Sequence, residues 1–142
     1  MSADAEALVA AATALVEAAA DGAVHTVAAA GLTVGGRVVT GLNLSHFTGG
    51  PCSELVVLAN AAAAGDGRLV LVVAVGNRGR GVIAPCGRCR QVLLDLQPDV
   101  AVLVPDAGGA TRAVPVRELL PEAYEWQVQR APAGERRAEP TS

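Results

Sequence analysis

Apolar residues recur at helical spacing from residue 4 to 20. Leu8, Ala11, Ala12, Leu15, Val16 and Ala19 share one face, and Asp21-Gly22 closes the run. The pattern then turns β-rich over 24–34 and 37–44, with Gly35-Gly36 between them reading as a two-residue hairpin turn. Ser45 to Pro51 reads as a loop, followed by a helix over about 52–64 that Gly65 ends. Leu69–Val75 is a continuous apolar run, as expected of a strand covered on both faces. A loop from Gly76 to Gly81 leads to Pro85, which introduces a helix over about 86–96 stopped by Gln97-Pro98. A strand at Val100–Val104, a turn at Pro105–Gly109, a last short strand at Ala113-Val114 and a one-turn helix at Val116–Leu120 complete the pattern. Residues 129–142 are polar, contain Pro132 and Pro140, and read as a disordered tail, leaving 1–128 as one domain. Strands alternating with helices predict an α/β fold: a mixed sheet covered on both faces.

Composition narrows the picture. The 142 residues are 51% apolar and 18% charged, enough to fill one globular core. Aromatics are limited to Phe47, Tyr124 and Trp126, so the core must be built from Ala, Val and Leu. The net charge of -3 carries no basic stripe, which argues against nucleic acid as a partner. No window reaches the roughly 18 apolar residues of a membrane span, and the acidic N-terminus is unlike a secretory signal; a cytoplasmic protein is expected. Three cysteines, an odd number, argue against a disulfide framework.

Those cysteines fall in two segments, Pro51-Cys52-Ser53-Glu54 and Pro85-Cys86-Gly87-Arg88-Cys89, each at the head of an expected helix. Cys86 and Cys89, three apart, share a helix face, and unpaired N–H groups at a helix start favour the thiolate. With Cys52 they can hold one zinc ion and leave a fourth position open for water. Glu54, two residues after Cys52, is placed to shuttle protons. Three thiolates on a divalent ion leave a net charge of about -1, which a cation should offset; Arg88 and Arg90 are the candidates. His46 and His25 are the other side chains able to ligate a metal; His46 reads equally as a loop residue, and His25 as a structural one. The simpler readings are buried core thiols, a Cys86/Cys89 redox pair, and a solvated or dipole-favoured setting for Arg88 and Glu54. None of these accounts for Cys52, Glu54 and both prolines together.

The stretches GLNLSHFTGGPCSELVVLANAAAAG (41–65), IAPCGRCRQVLLDLQP (83–98) and VRELLPEAYEW (116–126) resemble the cytidine deaminase family, and within it the blasticidin S deaminases. The resemblance spans about residues 5–126. It implies an α/β/α sandwich around a five-stranded mixed sheet, one zinc per chain on Cys52, Cys86 and Cys89, Glu54 as proton shuttle, and a homotetramer with active sites at subunit borders. It also implies that Asn43 contacts the sugar part of a small-molecule substrate and that the Pro85 carbonyl accepts from its amino group. Tyr124 and Trp126 match aromatics near the C-terminus of the blasticidin S deaminases, where they would wall the pocket in cis or from a neighbour, or simply staple the C-terminal segment. Phe47 would stack on the pyrimidine or fill core. Two positions depart from ordinary cytidine deaminases. Ser45 replaces a glutamate that binds a ribose hydroxyl, and Leu55 replaces an arginine whose charge Arg88 would supply. Both put cytidine in doubt and make blasticidin S the leading substrate, with cytidine or deoxycytidine salvage as the near alternative. A non-catalytic zinc protein is the alternative of another class.

Overall fold

Helix α1 (Ala3–Ala19) begins at Ser2, whose hydroxyl accepts the Ala5 amide at 3.1 Å, with Asp4 and Glu6 in the first turn, where the helix dipole favours negative charge. The computed structural model describes residues 1–126; the expected domain end at 128 and the tail from 129 lie outside the described residues. After α1 come strands β1 (Val27–Thr33) and β2 (Val38–Leu42), helix α2 (Ser53–Ala63), strands β3 (Leu69–Gly76) and β4 (Gly81–Ile83), helix α3 (Gly87–Leu96), strands β5 (Ala101–Pro105) and β6 (Thr111–Pro115), and a 3-10 turn at Val116–Leu119.

The expected mixed sheet is present. Five strands run in the order β2-β1-β3-β5-β6, with β3 and β5 parallel and the other neighbours antiparallel. A sixth strand, β4, was not legible in the sequence: it is three residues long and pairs Ala74 with Ile83 and Gly76 with Gly81 at the end of β3. The first hairpin also differs from expectation. Thr33 N–H donates to the Arg37 carbonyl at 2.9 Å, so the loop is Val34–Gly36, three residues, with Gly36 at φ +88° supplying the left-handed position such loops need. The strands begin and end inside the expected 24–34 and 37–44. Asp21 Oδ1 takes the amides of Ala23, Val24 and His25, which turns that backbone away from strand geometry.

Side-chain alternation along the strands divides the core into two layers. Ala28, Ala30, Leu71, Val73, Val75 and Leu103 face Leu8, Ala12 and Val16 of α1. Ala29, Val72, Val102 and Val104 face Val57 and Ala61 of α2 and Leu93 of α3. The sheet is therefore covered by α1 on one face and by α2 and α3 on the other, and the buried apolar residues are Ala, Val, Leu and Cys89. Burying a Leu or Val side chain contributes about 1.5–3 kcal/mol, so this aliphatic core needs no aromatic anchor. Among the described residues no helix is long and apolar enough to cross a membrane.

The loop ahead of α2 is tightly folded. Leu44 N–H donates to the Pro51 carbonyl at 3.0 Å, and a Cβ on Gly50 would sit 1.5 Å from the Leu44 oxygen. Gly50→Ala must therefore displace the backbone beside Cys52. We expect a cost of about 3 kcal/mol, read as a lower denaturation midpoint, together with weakened metal retention. An unchanged midpoint would show that this close approach is not needed.

Candidate active site

Cys52 and Cys86 are the N-cap residues of α2 and α3, both in extended geometry (φ -66° and -69°), and Cys89 lies in the first turn of α3. Because both helices pack on one face of the sheet, their starts converge. Cys52 Sγ and Cys86 Sγ are 3.5 Å apart, and the three sulfurs lie within 4.8 Å of one another. Zn–S bonds of 2.3 Å in tetrahedral geometry place sulfurs about 3.8 Å apart, so the donor set and spacing fit zinc. The two histidines are directed elsewhere: His25 Nδ1 meets the Asn43 carbonyl at 2.7 Å and His46 Nδ1 meets Thr48 Oγ1 at 2.6 Å.

Glu54 is 5% exposed, and its Oε1 accepts the hydroxyl of fully buried Ser53 at 2.9 Å. Sequence reading missed Ser53; its place between Cys52 and Glu54 on a helix start was the available signal. Burial pushes the Cys89 thiol far above its ordinary value, and the charge of Glu54 adds to this. Burial also works against ionisation of Cys86, but the Cys89 backbone amide and the Cys52 thiol outweigh it and hold that thiol below its usual value. Arg88 Nη2 donates to the Gly50 carbonyl at 2.6 Å and lies 3.3 Å from Cys52 Sγ; that hydrogen bond, then the cysteine charges, raise the guanidinium pKa. Arg88 thus stands where a charge-offsetting cation is needed. Arg90 does not: it donates to the Pro85 and Leu119 carbonyls and ties α3 to the C-terminal segment.

Cys52 and Cys86 open into a cleft of about 380 Å³, in the range for a small ligand. Asn43, Ser45, His46, Cys52, Glu54 and Arg88 line it, joined by Ile83 and Ala84, which the sequence did not single out. A larger cleft of about 630 Å³ lies between the end of α1 and the β3–β4 turn but contains none of the three cysteines.

Four expected substrate contacts are not in the cleft wall of this chain. Pro85 is absent from it: the residue is buried, and its carbonyl accepts from Arg90 Nε at 2.9 Å. Phe47 is 95% exposed and neither fills core nor lines the cleft; its ring packs on His46 with centroids 4.6 Å apart. Tyr124 and Trp126, 72% and 43% exposed, flank an apolar hollow with Val92 and Leu96 on the outer side of α3.

Comparison with known proteins agrees with this geometry. Residues 2–104 match the family described as the cytidine and deoxycytidylate deaminase zinc-binding region. A cytidine deaminase from Mycobacterium tuberculosis is 38% identical over 107 residues, 69% of this chain and 71% of that protein. A blasticidin-S deaminase from Bacillus cereus is 28% identical over 109 residues, 70% of this chain and 77% of that protein. Overall identity is thus higher to the cytidine deaminase. The crystal structure of a cytidine deaminase from Burkholderia pseudomallei superimposes with a TM-score of 0.70 at 35% identity, covering 87% of this chain and 100% of that one.

Proposed function

The chain belongs to the cytidine and deoxycytidylate deaminase family, and within it we propose the hydrolytic deamination of the cytosine ring of a free nucleoside-type small molecule, with blasticidin S as the leading substrate. The observation that carries the reading is a single carboxylate, Glu54, buried and oriented by Ser53 beside three converging thiols in a small cleft. Zinc held by Cys52, Cys86 and Cys89 would supply an activated water. Glu54 takes a proton from the attacking water and passes it to the ring nitrogen beside C4, then takes the proton of the hydroxyl now on C4 and delivers it to the departing amine, so that the C4–N bond breaks, a C4 carbonyl forms and ammonia leaves. Arg88 offsets the excess negative charge of the cysteines through Cys52.

Ser45 supports blasticidin S over a ribose nucleoside, because among the described residues the cleft wall carries no carboxylate besides Glu54 to take a ribose hydroxyl. That substrate would make the protein an antibiotic-resistance enzyme. The second reading is cytidine or deoxycytidine salvage, favoured by 38% identity to a cytidine deaminase. We further propose a homotetramer in which the exposed apolar hollow at Tyr124 and Trp126 meets a neighbouring subunit, and a reducing cytoplasmic setting, which suits three free thiols.

The test is loss of the cytosine ultraviolet band when zinc-loaded protein meets blasticidin S and, separately, cytidine. Loss with blasticidin S alone is the expected result. Loss with cytidine alone would establish salvage, and loss with neither, with zinc bound, would support a structural metal.

A further inference from the structure

Among the described residues a single side chain holds the Glu54 carboxylate: Ser53 Oγ donates to its Oε1 at 2.9 Å. The helix does not supply this contact by default. Successive residues of an α-helix project about 100° apart, so sequence neighbours do not face each other. Serine at a helix start usually caps it. Here Cys52 holds the N-cap position, and α2 has no side-chain cap hydrogen bond. Ser53 stands one place later, as the first residue of the helix, and its hydroxyl goes to the carboxylate instead. Ser53 borders the cleft yet has no exposed surface, so that hydroxyl serves Glu54 and not a ligand. A buried hydroxyl and a buried carboxylate each need a partner, and each finds it in the other.

The two carboxylate oxygens are thereby made unequal. Oε1 is taken by Ser53. Oε2 has no hydrogen-bond partner among the described residues, while every buried side-chain oxygen among them has one; Oε2 is therefore accessible, on a residue that lines the cleft. An anchor on Oε1 also survives proton transfer. When Oε2 carries the proton, Oε1 is the carbonyl oxygen of the acid and still accepts from Ser53. The group can thus take and return a proton at one atom without turning over. A glutamate side chain has several free torsions, and holding it in one arrangement keeps the reacting oxygen in place from one proton transfer to the next.

We propose that Ser53 is the positioning residue of the proton carrier: by fixing Oε1 it assigns the proton traffic to Oε2 and keeps that atom turned to the cleft. The inference rests on the deaminase reading above. Its test is a double-mutant cycle on the full-length, zinc-loaded protein, with whichever of blasticidin S and cytidine the wild type deaminates. Ser53→Ala should lower kcat about tenfold to a hundredfold, the range spanned by one charge-assisted hydrogen bond, with KM unchanged and one zinc per chain retained by metal analysis. In the Glu54→Gln protein, which has no proton to carry, adding Ser53→Ala should lower kcat no further, because Ser53 acts only through Glu54. An unchanged kcat in Ser53→Ala, a loss confined to KM, or zinc lost in step with activity overturns the proposal and leaves the deaminase reading standing. So does a fall of the same size in both backgrounds, which would make Ser53 a support for the helix start. Failure of the wild type to deaminate either substrate overturns both.

Discussion

Replacing Glu54 by glutamine should lower turnover of a cytosine substrate about a hundredfold to ten-thousandfold, the range over which a positioned proton carrier acts, while one zinc per chain is retained. The substitution keeps the size and the acceptor that Ser53 meets at 2.9 Å, so the helix start and the sulfur cluster keep their geometry. Only the ability to take and return a proton is lost. Metal analysis alongside steady-state kinetics separates the causes. Full activity would remove Glu54 from the mechanism and leave the structural-zinc alternative, and a loss of zinc in step with activity would make Glu54 a support for the metal instead.

Stripping the metal with a chelator should abolish activity and lower the melting temperature by about 10 °C or more. An ion held at a thousand times its dissociation constant contributes about 4 kcal/mol by mass action, and each kcal/mol is worth about 2–4 °C in a chain of this size. Re-addition of zinc should release protons. Thiols bind as thiolates, and burial holds the Cys89 thiol far above its ordinary value in the metal-free chain, so that group enters the site protonated and must give its proton up. The sign follows: protons compete with the metal, so apparent affinity falls as pH falls, about tenfold per unit for each proton displaced. Calorimetry in buffers of different ionisation enthalpy measures the release. A binding heat independent of buffer would contradict thiolate ligation, and an unshifted melting temperature after complete metal removal would mean that the fold holds the cysteines together unaided.

Much of this site was legible in the one-dimensional pattern. Cys52, Glu54, Cys86 and Cys89 stand at helix starts, where short spacings translate directly into shared faces, and the apolar run Leu69–Val75 suits a strand covered on both sides, which it is except at exposed Val70. Alternation along β1, β3 and β5 likewise sorts side chains between the two layers without knowledge of their partners. Contacts between segments distant in the chain were not legible. Arg88 and Arg90 looked equivalent in sequence, but two residues advance a helix by about 200°, so one guanidinium reaches Cys52 and the other is carried away to Pro85 and Leu119. β4 escaped notice because three residues carry no period, and it forms only because the end of β3 is there to pair with it. The partners of Asn43 were likewise not legible: the antiparallel pairing of β1 with β2 brings Thr26 and Val27 against its side chain. The sequence by itself determined the layers, the three-cysteine cluster and the carboxylate beside it, because local periodicity and short spacings encode them. Tertiary structure decided which arginine meets the thiols and which backbone amides meet Asn43, because both depend on groups that only folding brings within hydrogen-bonding distance.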